Sequence, residues 1–209
     1  MDSRKRILVI SSKRPFPVQD GASIRTSQMI RMLSQIFEVD LVYTGNRYKT
    51  FADLTELRCF CRQISEFLEP KWKCVLRALL GFFKSRPLQC SYFYSPRMMS
   101  YIQEHLSLYD YVFCNNIRTV PYVDGSKCNK IIDYVDAISM NYIGASLKAN
   151  WIWRLVYKFE ANRLISYENK VLKSFDKFII ISDVDRQFIL RHADLEISNK
   201  HIEVIGNSV

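Results

Sequence analysis

Short apolar runs rich in β-branched residues alternate along the chain with longer stretches in which apolar positions recur every three to four residues. The runs Arg6–Ser11, Phe37–Tyr43, Arg62–Leu68, Tyr111–Asn115, Lys130–Tyr134, Lys177–Ser182 and His201–Ile205 are mostly apolar and lack clean alternation. Strands buried on both faces of a parallel sheet carry that pattern. Helical period marks Ser23–Gln35, Trp72–Lys84, Pro96–His105, Ala137–Lys148, Trp151–Phe175 and Asp183–Ala193. Strand and helix in turn imply a mostly parallel sheet covered by helices on both faces through right-handed crossovers. No internal repeat, low-complexity tract or Gly/Ser linker interrupts the pattern. The expectation is a single doubly wound, Rossmann-like α/β domain.

With 209 residues, 48% of them apolar, the chain can bury a full core. It has no apolar run of about 18 residues that would span a bilayer as a helix. The basic N-terminus, Arg4 to Arg6, is followed only by the apolar Ile7–Ile10, shorter than the roughly 7–15 residues of a secretory core segment. A cytoplasmic chain is expected. Six cysteines include a Cys59-x-Cys61 pair and the scattered Cys74, Cys90, Cys114 and Cys128. Without Cys-x-x-Cys or His at zinc spacing they read as reduced, packed thiols, and no metal site is expected. A net charge of +9 favours anionic partners. Nucleic-acid motifs are missing, which leaves phosphorylated ligands or an anionic membrane surface.

Ligands of doubly wound sheets bind beyond the carboxyl ends of the strands. The loop Ser12–Gly21 leaves the first strand there, and the following helix presents free N–H groups and its positive dipole end. Gly21 is either a position of close anion approach, with freedom to take a positive φ, or a plain turn. The dinucleotide fingerprint and the P-loop are both missing. Arg25 is either an oxyanion partner or a helix-surface arginine. Asn115, Asn116 and Arg118 follow the fourth strand, where amides suit sugar hydroxyls or cap a turn. Asp133 and Asp136 end the next strand, and Asp136 has the alternative role of helix cap.

Other polar residues read as structural. Glu160 and Glu168, eight apart on a long helix, share a face and suit salt bridges. Ser182 and Asp185 have the spacing of a helix start. His105, His192 and His201 have no nucleophile partner nearby. In Glu69–Pro87, Val75, Leu76, Leu79, Leu80 and Phe83 recur at helical spacing among Lys71, Lys73, Arg77, Lys84 and Arg86. With Trp72 and Phe82 this is either a membrane-surface helix or an amphipathic core helix.

Four patches stand in order along the chain, "RPFPVQDGASIRTSQMIRML", "IIDYVDAIS", "FEANRLISYENKVLKSFDKFIIISDVD" and "IEVIGNSV", with the connecting segment "SRPLQCSYFYSPRM". Together they give the chain a resemblance to the N-terminal domain of family 4 glycosyltransferases with the GT-B fold, closest to bacterial exopolysaccharide-type sugar transferases. The chain departs from the pattern at Gly21-Ala22, where many members have Gly-Gly, and at Gly206-Asn207-Ser208, where they have Pro-Asn-Gly. The resemblance implies that residues 1–209 form the acceptor-binding half of a transferase, with the C-terminal nucleotide-sugar-binding domain outside this sequence. It implies Gly21, Ala22 and Arg25 facing the donor diphosphate, and Asn115, Asn116, Arg118, Asp133 and Asp136 facing the acceptor. Lys71, Trp72, Lys73, Arg77, Phe82 and Lys84 would touch the inner membrane face. No catalytic residue is assigned, and no cofactor or metal is expected beyond the nucleotide-sugar substrate. Expected partners are the C-terminal domain, from the same parent chain or a partner protein, and a saccharide or lipid-linked acceptor. Nucleic acid is not expected as a partner. The isolated chain should be inactive; the alternative is a non-catalytic module binding a glycan, an anionic ligand or a membrane surface.

Overall fold

The computed structural model describes residues 4–17, 20–46, 55–82 and 86–207. Its strands are β1 (Arg6–Ser11), β2 (Glu38–Asn46), β3 (Gln63–Glu69), β4 (Tyr111–Asn115), β5 (Asn129–Asp133), β6 (Lys177–Ile180) and β7 (Glu203–Val204). Among the described residues they form one seven-stranded sheet in the order β3-β2-β1-β4-β5-β6-β7, with every pairing parallel. β1 pairs with β2 on one side, Ile7 opposite Val39, and with β4 on the other, Ile7 opposite Tyr111. The strand order therefore reverses between β1 and β4, the place where doubly wound sheets open a ligand crevice.

The helices are α1 (Gly21–Ser34), α2 (Thr55–Arg58), α3 (Lys71–Gly81), α4 (Leu88–Tyr92), α5 (Pro96–His105), α6 (Ile138–Lys148), α7 (Trp151–Ser174) and α8 (Asp183–Arg191). Successive side chains of β1 take opposite faces, which produces two cores. Ile7 and Val9 pack with Met29 and Ile30 of α1, Leu41, Tyr43 and Phe113. Leu8 and Ile10 pack with Val112, Ile132, Leu164 and Val171 under α5 and α7. Both faces are covered, as a parallel sheet requires. The expected elements recur with ends moved by a few residues. The short α2 and α4 go unpredicted, because four and five residues hold too little of a helical period to register.

α3 departs from the core-helix reading. Its packed side carries small or polar residues, Cys74, Arg77, Ala78 and the buried Gly81. A Cβ on Gly81 would lie 2.4 Å from Ser91 Oγ and 2.7 Å from Ser91 Cβ, so the missing side chain lets α3 lie close against α4. Trp72, Val75, Leu76, Leu79, Leu80 and Phe82 are exposed. Phe83 and Lys84, expected in this helix, lie outside the described residues.

Candidate functional site

The carboxyl edge of the sheet is organised around Arg25. α1 begins with a capping box: Asp20 Oδ1 accepts from Ser23 N at 2.8 Å, and Ser23 Oγ accepts from Asp20 N at 3.0 Å. One turn on, Arg25 is 1% exposed. Its Nε and Nη2 donate to the two oxygens of Asp133, at 2.6 and 2.9 Å, and its Nη1 donates to Ile205 O at 2.6 Å. Nη1 also reaches Asn207 Oδ1 at 3.4 Å. The guanidinium that the resemblance turns toward a diphosphate, and the carboxylate it turns toward an acceptor, thus engage each other in the interior. They tie α1 to the end of β5 and to the residue after β7. Burial pushes the Asp133 carboxyl above its usual range against the opposing pull of Arg25.

Asp133 opens a loop whose alternate amides are each received by a carboxylate. Asp133 Oδ1 accepts from Val135 N at 3.0 Å, Asp185 Oδ1 from Ala137 N at 2.9 Å, and Glu168 Oε1 from Ser139 N at 3.2 Å. The last two compensate for Ala137, an N-cap residue of α6 with no side-chain oxygen. Val135 sits at φ 67°, a left-handed conformation costly for a β-branched residue. Within this frame Asp136 does not cap α6; its Oδ2 accepts from Asn141 Nδ2 at 2.6 Å. Desolvation raises its pKa.

Glu168 has no cationic partner among the described residues. It is 3% exposed and accepts from Ser139 Oγ at 2.5 Å. Burial, with Asp136 and Asp185 near, pushes it up to about 7. Glu160 does make the expected ion pair, with Arg163 at 3.3 Å, and it is buried and also accepts from Leu88 N at 2.5 Å. Asp185 matches the helix-start reading, bonded to Ser182, and adds the contact to Ala137. The lack of an oxygen at position 137 is the sequence signal that points to Glu168 and Asp185.

Across the reversal point, Asn115 is interior: its Nδ2 donates to Ser11 Oγ at 3.4 Å and to Thr26 Oγ1. Asn116, at φ 65°, caps the following 3₁₀ turn by accepting from Arg118 N at 2.9 Å and donates to Ser12 Oγ at 3.2 Å. Arg118 is half-buried, with its guanidinium 4.7 Å from the Phe93 ring centroid and its Nε donating to Gln89 Oε1 at 2.7 Å. Its terminal nitrogens have no protein partner among the described residues. Desolvation lowers its pKa, opposed mainly by the charge of nearby Asp136. A half-buried cation with open donors suits a polar, hydroxyl-bearing or anionic ligand.

Gly21 is helical, not left-handed, and a Cβ there would meet nothing within 4 Å. Gly21 and the half-buried Ala22 contribute first-turn amides without partners among the described residues. Asp20, paired with Lys13 at 2.7 Å and held near pKa 2 first by Lys13, already sets a carboxylate at that helix end. Among the described residues no group of three or more His, Cys, Asp or Glu is placed to hold a metal ion.

No protein-family model matches the chain, and no curated protein matches it. Among solved structures it is similar to a UDP-glucosyltransferase from Polygonum tinctorium capable of glucosylating indoxyl, at 8% identity and TM-score 0.52 over 98% of this chain and 52% of that one. The chain thus spans about half the length of that enzyme. It is also matched to the C-terminal domain of PF1911 hydrogenase from Pyrococcus furiosus, at 13% identity and TM-score 0.40 over 63% of this chain and 92% of that one. The first likeness gives the chain a glycosyltransferase-like α/β fold.

Two outcomes are expected from the buried charges. Asp133→Asn strands the Arg25 guanidinium and should cost about 3–5 kcal/mol in urea unfolding, whereas Arg25→Leu with Asp133→Leu should cost clearly less. Glu168 binds its proton more tightly folded than unfolded, so its contribution to stability is full below the unfolded value and is lost as pH rises toward about 7. Between pH 5 and 8 the wild type should therefore lose about 2–3 kcal/mol relative to Glu168→Gln. A pH-independent difference between the two would contradict this.

Proposed function

We infer that the chain is the acceptor-side half of a family 4 glycosyltransferase with the GT-B fold. In the complete enzyme it would act with a C-terminal domain that holds a nucleotide-sugar donor, transferring the sugar with retention to a saccharide or lipid-linked acceptor at the cytoplasmic face of the membrane. The observation that carries the reading is the half-buried Arg118 at the carboxyl edge of a parallel sheet near its strand reversal, stacked on Phe93 and with its terminal donors unpartnered among the described residues. Arg118 and Asp136 would hold acceptor hydroxyls or an acceptor anion, with Asn116 fixing the turn that carries Arg118. The first amides of α1, at Gly21 and Ala22, would meet charge developing on the departing diphosphate. Arg25 and Asp133 are positioning residues: they set β5 and α1 and touch no substrate.

A second reading, a binding module without donor chemistry, draws on Asp20, whose carboxylate already occupies the N-terminus of α1.

Nucleotide-sugar turnover with and without the C-terminal domain separates these readings. The isolated 209 residues should transfer nothing, and adding the domain should restore transfer. In the restored enzyme Arg118→Ala should raise the acceptor KM by on the order of 10- to 100-fold, the loss of a charged hydrogen bond, and leave the donor KM unchanged. Gly21→Ala meets no neighbour, so it should keep stability and slow transfer. Robust transfer by the isolated chain would overturn the first reading, and no transfer with the domain present would favour the second.

A further inference from the structure

Most of the large apolar side chains left in solvent belong to two neighbouring regions of the molecule. α3 turns Trp72, Leu79 and Phe82 outward, and the turn between α6 and α7 leaves Leu147, Trp151 and Trp153 exposed. The two regions are continuous, because the rings of Phe82 and Phe159 of α7 lie 5.2 Å apart. α7 is buried at intervals only from Glu160 on; its first nine residues are exposed or half-exposed. All three tryptophans of the chain belong to this surface, at 62%, 72% and 54% exposure for Trp72, Trp151 and Trp153. Soluble monomers seldom show so large an apolar patch without a use for it.

The surrounding charge has one sign. No Asp or Glu occurs from Pro70 to Gln103 or from Ala137 to Phe159. Lys71, Lys73, Lys148 and Lys158 stand exposed around the patch and make no ion pair among the described residues. A second copy of this chain would set one basic rim against another. An anionic bilayer complements both the rim and the apolar centre, and tryptophan rings favour the headgroup depth. No helix among the described residues is long and apolar enough to cross a membrane, so contact would be from one side.

We propose that α3 and the α6–α7 turn form one docking surface for an anionic lipid bilayer, with Trp72, Trp151 and Trp153 seated among the headgroups. This extends the membrane contact of the transferase reading from α3 to the hairpin and rests on that reading only for the leaflet concerned. Because it is measured without sugar transfer, its failure leaves the transferase reading standing.

Tryptophan emission of the full chain reads the contact directly, since no tryptophan lies elsewhere. Vesicles of equal parts phosphatidylglycerol and phosphatidylcholine should shift the emission to the blue at low salt, and phosphatidylcholine alone should not. Lys71→Glu with Lys73→Glu, and separately Lys148→Glu with Lys158→Glu, should each weaken partitioning by on the order of 30-fold or more. All four residues are exposed, so circular dichroism should stay that of the wild type. The proposal is overturned if the Lys148/Lys158 variant binds like wild type, or if neutral vesicles give the same shift. It is equally overturned if the shift grows with protein concentration without lipid, the mark of a second copy covering the face.

Discussion

A guanidinium sealed in a protein interior must have its charge met and its donors filled, and in this chain that demand falls on Arg25. Taking an ion pair out of water costs several kcal/mol per ion unless geometry and extra hydrogen bonds return it. Asp133 takes two of the donors in a fork and the carbonyl of Ile205 takes a third. The contacts join residues more than a hundred positions apart on α1 and β5, and reach the chain beyond β7. Small displacements of any of the three elements would leave a buried charge unmet, so their relative placement at the carboxyl edge is narrowly fixed.

With Asp133 held, the loop leaving β5 is held too. The segment from Asp133 to Ser139 runs through a left-handed valine and into a helix whose N-cap residue has no oxygen to give. Buried carboxylates from its own start, from α8 and from α7 receive the amides of Val135, Ala137 and Ser139. Strain of this kind persists only where surroundings over-determine it, and here the surroundings are acceptors. The result is a rigid shelf that carries Asp136, whose charge opposes the lowering of the Arg118 pKa by burial. A site needs residues held by others, and in this edge the holding residues outnumber the free ones.

The fold is legible because a buried parallel strand has few disguises: the apolar runs give β1 and β4 to the residue, and helical period gives α5. The strand order, which places the crevice, is a long-range property that no local pattern carries. Arg25 shows the limit at the site. Spacing sets an arginine one turn into a helix at the right edge, yet whether it turns outward to a ligand or inward to Asp133 depends on a partner more than a hundred residues away. α3 shows a related limit, because periodicity announces two faces without saying which is packed. The small face goes inward against Ser91 through Gly81, and the large apolar face stays out. Glu168 is hidden in a surface-like spacing, and only the bare N-cap at Ala137 hints at it.

The central claim is a division of labour: Arg25 holds the edge together and Arg118 faces the ligand. Nitrogen-15 NMR of the arginine Nε–H groups during titration with inorganic phosphate, standing in for an acceptor anion, tests it most directly. The account predicts an Arg25 signal that exchanges slowly with solvent and does not move, and an Arg118 signal that shifts to saturation. Movement of Arg25 with Arg118 unchanged would contradict it.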